Sequence, residues 1–225
     1  MADRKPRGFM VVFEGGEGAG KSTQVRALAA WLTGWGHECV TTREPGATDL
    51  GQGIRELLLR PRTDAPSPRA EALLYAADRA HHVATVIRPA LDRGAVVVSD
   101  RYVDSTRAYQ GAGRALEPAD VEWLAAYATA GTRPDLVVVL DIDPAVGLLR
   151  AGSRGAADRL EAESLGFHQR IRQAFLDMAA ADPGRYAVLD ATQPREVLAS
   201  RVRERVSAVL QQRLIDAPTI AVANG

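Results

Sequence analysis

The run Gly15-Gly16-Glu17-Gly18-Ala19-Gly20-Lys21-Ser22 constrains this chain more than any other stretch of it. It follows an apolar segment, Phe9-Met10-Val11-Val12-Phe13-Glu14, and leads into a segment where Val25, Leu28, Ala29 and Leu32 recur at helical spacing. A buried strand, a glycine-rich turn and a helix in direct succession give the G-x-x-x-x-G-K-[ST] pattern its structural context. Glycines leave backbone N–H groups uncrowded and allow the dihedrals that a wrapped loop needs, and the helix N-terminus adds a partial positive charge. The pattern therefore assigns Gly15, Gly16, Glu17, Gly18, Ala19, Gly20, Lys21, Ser22 and Thr23 to a bound nucleoside triphosphate. Lys21 is expected at the β- and γ-phosphates, and the Ser22 hydroxyl on Mg²⁺.

Further apolar runs, Ala95–Asp100 and Leu136–Asp141, read as parallel strands covered on both faces, with weaker strands at Glu38–Thr42 and Tyr186–Asp190. Helical stripes lie between them. Gly36 is a plausible helix stop, Ser67-Pro68 an N-cap with proline at the first helical position, and Phe167, Ile171, Ala174 and Met178 one apolar face. Alternation of this kind predicts a three-layer α/β fold of the P-loop NTPase type. A five-stranded, mostly parallel sheet is expected, flanked by helices. Ligands in such sheets bind beyond the carboxyl ends of the strands, here after Phe13, Thr42, Ser99 and Leu140. Residues 1–210 read as a single domain. Within it, Ala151–Ala157 is small, punctuated by one Arg and expected to be mobile; the tail 211–225 lacks strong periodicity and is expected to be disordered.

Among the 225 residues, 28 Lys and Arg balance 28 Asp and Glu, which excludes a broad basic patch for a nucleic-acid polymer or an anionic membrane but leaves room for a local arginine cluster. Cys39 is alone, so no intrachain disulfide forms, and its apolar flanks suggest a buried thiol. Neither a signal-peptide pattern nor an apolar run long enough to span a bilayer is present, and the expectation is a cytoplasmic protein. The Asn-Lys-x-Asp guanine reader of GTPases is absent as well. A small-molecule kinase is the favoured class.

Beyond the loop, four segments carry a more specific signal. They are Thr42-Arg43-Glu44-Pro45-Gly46, Tyr75-Ala76-Ala77-Asp78-Arg79, Asp100-Arg101-Tyr102 continuing to Ala108-Tyr109-Gln110-Gly111, and Asp190-Ala191-Thr192-Gln193-Pro194. In this order around a phosphate loop they resemble the bacterial thymidylate kinases, over almost the whole chain to about Ala208. The resemblance implies ATP and dTMP as substrates, Mg²⁺ as cofactor and a homodimer. It implies that Tyr75 stacks on thymine and that Arg79, Arg55 and Arg101 grip the acceptor phosphate, as suits a planar guanidinium fork. Thr106, Tyr109 and Gln110 fall where base and sugar are read, and Gln110 could pair with the base through both donor and acceptor. Asp100 would serve Mg²⁺ beside Ser22. Glu17, odd beside a triphosphate, is implied to face the acceptor's sugar. A lid at about 150–160 would bring Arg154 and Arg159 to the transferring phosphate; Gly152 stands where some relatives carry another Arg.

Other residues read more plainly. Asp141 suits either Mg²⁺ or a turn, and Gln193-Pro194 either an adenine border or a helix start. His81-His82 point about 100° apart on a helix and make a poor metal pair. Trp31, Trp35 and Trp123 read as packing residues, and Ala47 replaces a second glycine common in its motif. Two rivals remain at this point: a kinase for another nucleoside monophosphate or a deoxynucleoside, and a nucleotide-switched regulatory protein.

Overall fold

A computed structural model of the chain describes residues 7–61, 63–153 and 157–216, with side chains through 212. In chain order the elements are β1 (Phe9–Glu14), α1 (Lys21–Gly34), β2 (Cys39–Arg43), α2 (Asp49–Leu59) and α3 (Pro68–His82). A π-helical turn (Val83–Ile87) continues α3 into α4 (Arg88–Asp92), followed by β3 (Val96–Asp100) and α5 (Val103–Thr106). A second π turn (Arg107–Gly113) precedes α6 (Pro118–Thr129), β4 (Leu136–Asp141), α7 (Pro144–Gly152), α8 (Leu165–Ala181), β5 (Tyr186–Asp190) and α9 (Arg195–Asp216).

The five strands form one sheet in the order β2-β3-β1-β4-β5, and every pair is parallel rather than mostly so. Val11, for example, lies opposite Val98 of β3 and Leu136 of β4. Alternation along β1 sorts its side chains to two faces. Phe9, Val11 and Phe13 pack with Val25, Leu28 and Leu32 of α1 and with Val202 and Val206 of α9. Met10 and Val12 face the opposite layer with Ile87 and Leu91, while Val137 and Val139 meet Phe167, Ile171 and Phe175 of α8. Both faces are covered, which is why these strands are continuous apolar runs. Local chemistry sets the helix ends. The Thr48 hydroxyl accepts from Gly51 N–H, the Asp143 carboxylate from Ala145 N–H and the Ser164 hydroxyl from Phe167 N–H. After α1, Gly36 with φ +84° lets His37 N–H return to Leu32 O at 3.1 Å.

Some expectations are corrected. Trp35 and Trp123 are 73% and 63% exposed, so only Trp31 packs against the core. Cys39 is half-buried at the edge of the core rather than enclosed in it. The segment that reads as a tail begins inside α9, which runs to Asp216; residues 217–225 lie outside the described residues. Among the described residues no helix is long and apolar enough to cross a membrane.

β1 is where the chain's direction across the sheet reverses, with β2 and β3 on one side and β4 and β5 on the other. Its carboxyl end is thus the crevice where ligands of such sheets bind.

Candidate active site

The loop from Gly15 to Gly20 leaves β1 and is pressed between the ends of β4 and α7. At Gly18, φ is +67°, and a Cβ would lie 2.0 Å from Gly147 O; a Cβ on Gly147 would in turn lie 2.3 Å from Glu17 O. Neither position admits a side chain, so the loop's path is fixed by contact with α7. Lys21 opens α1 and folds back across the loop, donating to Gly15 O at 3.0 Å and Gly16 O at 2.7 Å. It is almost wholly buried. Burial, and then the neighbouring Arg101, hold its ammonium below the ordinary lysine range, against the opposing pull of Glu17, Asp100 and Glu14. Ser22 donates its hydroxyl to Asp100 Oδ2 at 2.6 Å, joining the start of α1 to the end of β3.

Arg101 has φ +71°, a left-handed conformation that costs a non-glycine residue free energy. Its backbone N–H is held by Phe13 O at 2.9 Å and its carbonyl by the Ser99 hydroxyl at 2.7 Å. The side chain reaches across β1, donating to Gly15 O at 3.1 Å, Ser105 Oγ at 3.2 Å and Glu17 Oε1 at 2.6 Å, and lies 4.9 Å over the Tyr109 ring. The Tyr109 hydroxyl also donates to Glu17 Oε1, at 2.7 Å. Burial alone would push the Glu17 carboxyl up; Arg101, Lys21 and the Tyr109 hydroxyl outweigh it and bring it down to about 2. Glu14, three residues earlier, goes the other way. Its carboxyl is enclosed, accepting from Tyr102 N–H, Ser105 N–H and the Ser105 hydroxyl, and burial followed by nearby Asp104 raises it to about 7.

Two cavities open from this point. One, of about 1,120 Å³, runs along the phosphate loop past Lys21, Ser22, Arg26, Arg43 and Asp100. The other, of about 530 Å³, is walled by Tyr75, Arg79, Thr106, Tyr109, Gln110 and Leu160. They share Glu17, Glu44, Arg55, Arg101 and Asp158 as a common border. Arg55 donates to Pro45 O at 3.0 Å, and burial and then Arg43 hold its guanidinium below the usual range. Cations crowded in this way are relieved by an anion between them.

The structure thus gathers Lys21, Ser22, Arg55, Asp100 and Arg101 at the loop, and Tyr75, Arg79, Thr106, Tyr109 and Gln110 around the second cavity. Two expectations change and two open readings close. Arg79 is fully buried and spends its guanidinium on Glu44 Oε2 (2.7 Å), Thr106 Oγ1 (2.7 Å) and Tyr102 O (2.9 Å). Unlike Arg101 and Arg55, it lines only the second cavity and not the border with the phosphate loop, so it stands in that cavity's wall rather than as a phosphate clamp. Arg159 does not stand free in a lid: it is paired with Glu71 and donates to Leu58 O at 2.7 Å. Arg154 lies outside the described residues. Asp141 is taken by a bidentate pair with Arg172, at 2.7 and 2.9 Å, which removes it from the Mg²⁺ set. Gln193 binds back to Asp190 at 3.0 Å just ahead of α9, the helix-start reading.

Two acids with no role assigned from the sequence, Glu44 inside one of the four segments and Glu71 outside them, hold the second cavity together. Glu44 pairs with both Arg79 and His82, and His82 also meets Thr42 Oγ1 at 2.6 Å. Glu71 receives Gln110, Arg114 and Arg159. A signal for Glu71 was available: Glu71, Tyr75 and Arg79 are spaced by four on α3 and share one face.

The donors at the loop suit Mg²⁺. Ser22 and Asp100 supply a hydroxyl and a carboxylate side by side, and no cluster of three or more His, Cys, Asp or Glu able to hold a metal occurs among the described residues. So small a protein donor set matches an ion held largely by water and substrate phosphates.

A model of the thymidylate kinase family matches residues 13–202. The chain belongs to that family. Among thymidylate kinases similar to it, that of Clavibacter sepedonicus is 56% identical over 204 residues, covering 90% of this chain and 96% of the relative. That of Cutibacterium acnes is 56% identical over 205 residues, covering 91% and 99%. The crystal structure of thymidylate kinase from Ehrlichia chaffeensis superposes with a TM-score of 0.74 at 28% identity, over 90% of this chain and 100% of that one. A thymidylate kinase family member has two anionic substrates to hold, which accords with two cavities whose shared border includes Arg55 and Arg101.

Proposed function

We propose that this protein transfers the γ-phosphoryl group of ATP to the 5′-phosphate of dTMP, giving dTDP and ADP by direct in-line displacement. The observation that carries the reading is the meeting of the phosphate-loop cavity and the second cavity at Glu17, Arg55 and Arg101. Two nucleotides placed end to end there bring their phosphates together at the border the cavities share among the described residues. In the first cavity the loop N–H groups and Lys21 hold the triphosphate, with Lys21 exchanging its carbonyl partners for phosphate oxygens. Ser22 and Asp100 are the residues that would hold Mg²⁺, which would offset the negative charge of the phosphate oxygens. In the second, Tyr75 offers its ring to the base, and Arg55 and Arg101 hold the acceptor phosphate. Glu17, ionised and turned toward Tyr109, is placed beside the acceptor's sugar rather than the triphosphate. No nucleophilic side chain is required, because the acceptor phosphate attacks directly and catalysis is positioning and charge stabilisation. Arg154 is assigned to the transferring phosphate on the strength of its sequence alone.

The protein acts as a homodimer through α3 and α6. Leu73, Trp123 and Tyr127 are 59%, 63% and 73% exposed, and the two rings stack at 5.4 Å. An apolar face of this kind marks an interaction surface. Light scattering on the purified protein should give twice the chain mass, and a monomer would remove this part of the reading.

The decisive experiment is ADP release from MgATP with a panel of nucleoside monophosphates. A kcat/KM for dTMP well above those for UMP and CMP is expected. Equal use of UMP or CMP would overturn the assignment in favour of another monophosphate kinase, and nucleotide hydrolysis without any acceptor would favour a regulatory switch.

A further inference from the structure

We propose that Glu71 makes the acceptor cavity selective for a pyrimidine with a ring N–H beside a carbonyl, by fixing which end of the Gln110 amide faces the base. The inference rests on the reading of that cavity as the monophosphate site. The two ends of a glutamine amide have nearly the same shape and opposite hydrogen-bonding character, so the partner at one end decides what the other end offers. Gln110 is 1% exposed and its amide nitrogen donates to Glu71 Oε1 at 2.9 Å. An ionised carboxylate only accepts, so the NH₂ group must face it and the amide oxygen must turn away. That oxygen receives no hydrogen bond from the described residues and is not among the sealed, unpartnered atoms; it is left to the cavity that Gln110 lines.

Glu71 is itself locked. Arg114 donates to both of its oxygens, at 3.3 and 3.2 Å, and Arg159 pairs with it from the loop ahead of α8. These partners outweigh its burial and keep the carboxyl below its ordinary range. Arg79, on the same face of α3, keeps one N–H on each terminal nitrogen beyond its bonds to Thr106 and Tyr102 O, and it can only donate. The wall therefore combines a donor with an acceptor. Thymine or uracil meets it with a carbonyl and the adjacent ring N–H. Cytosine presents an amino group and an unprotonated ring nitrogen at the same edge, so donor meets donor and acceptor meets acceptor.

Glu71 is a positioning residue, and the readout is selectivity. In Glu71→Gln the partner can itself donate, so Gln110 is free to turn its NH₂ to the base. The ratio of kcat/KM for dTMP to that for dCMP should fall at least about tenfold, the effect of one misplaced hydrogen bond, with the loss on dTMP carried mainly by KM. Glu71→Asp should restore part of the ratio, and Glu71→Gln should add nothing in a Gln110→Leu background. If Glu71→Gln fails to fold, Gln110→Leu alone must lower the same ratio. A wild-type protein that uses neither nucleotide sinks the functional reading and this inference together. A wild type that prefers dTMP, with the ratio unmoved in Glu71→Gln or in Gln110→Leu, sinks this inference alone.

Discussion

Glu14→Gln should stabilise the protein at high pH and leave it nearly unchanged at low pH. The carboxyl of Glu14 is enclosed at the end of β1, where burial and the neighbouring Asp104 raise it from an ordinary 4.5 to about 7, against the weaker pull of Arg101 and the Ser105 and Tyr102 hydrogen bonds. Below pH 4.5 the group is protonated in both folded and unfolded chains and contributes no pH dependence. Between 4.5 and 7 the unfolded chain releases the proton while the folded one keeps it, so wild-type stability falls with rising pH at up to about 1.4 kcal/mol per unit. Above 7 both are ionised and the full cost, about 3 kcal/mol, is reached and stays constant. Glutamine preserves the geometry. Its carbonyl can keep both backbone bonds, which fall on one carboxylate oxygen, and its NH₂ can donate to the Ser105 hydroxyl in place of the bond now received from it. The assay is urea unfolding of wild type and variant at intervals from pH 4.5 to 8. Other titrating groups, His168 included, are common to both proteins and cancel in the difference. The difference should open from near zero to about 3 kcal/mol in favour of the variant, centred between 4.5 and 7. A difference that is flat across this range would refute the reasoning, because it would mean that Glu14 is ionised, or exposed, throughout.

Glu17 should show the opposite slope in a separate window. Its carboxyl, held down to about 2, adds stability above pH 4.5 that is lost as pH falls toward 2, so Glu17→Gln should flatten the acid limb of the unfolding curve. Lys21→Ala should retain its far-UV spectrum and lose at least about a hundredfold in ADP formation, as expected when a main charge at the transferring phosphate is removed. Arg154→Ala should lower kcat by about a thousandfold with little change in dTMP affinity; a loss confined to KM would count against it. Asp141→Asn should leave the Mg²⁺ dependence of turnover unchanged and cost less than about 1 kcal/mol in urea unfolding, since its partner Arg172 is 38% exposed and the pair is screened by solvent.

β1 and β4 were legible because a strand buried on both faces must be apolar throughout, and the runs Phe9–Glu14 and Leu136–Asp141 coincide with them; the weaker run Tyr186–Asp190 coincides with β5, an edge strand whose Val188 is 46% exposed. The phosphate loop was legible because its glycines answer to local geometry. What escaped was polar and long-range. Arg159 and Glu71 are 88 positions apart, and Arg79 and Glu44 are 35 apart. Nothing in the local period around Arg159 distinguishes an arginine awaiting a ligand from one already paired inside the fold. The helical stripes hid the exposure of Trp123 for a related reason: a period identifies a face, and the other elements decide whether that face is covered. The π turn at Arg107–Gly113, which carries Tyr109 and Gln110 into the cavity, also leaves no sequence period of its own.

Glu14 and Glu17 show how close two opposite electrostatic regimes can lie. Both are acids near the end of β1, yet the side chain of one is fully buried at the carboxyl end of this central strand with only neutral donors on its oxygens, while the other meets a guanidinium at 2.6 Å. Arg101 makes the division. Its left-handed backbone turns the side chain away from the end of β3 and across β1, so that its fork reaches the loop carbonyl Gly15 O, the Ser105 hydroxyl and Glu17 together. An acceptor phosphate arriving at the border of the two cavities must compete with Glu17 and Gly15 O for these same N–H groups. Gly15 O is also a partner of Lys21. On the proposed placement of the two substrates, filling one cavity therefore alters the hydrogen bonds that hold the loop of the other, through one guanidinium and one carbonyl.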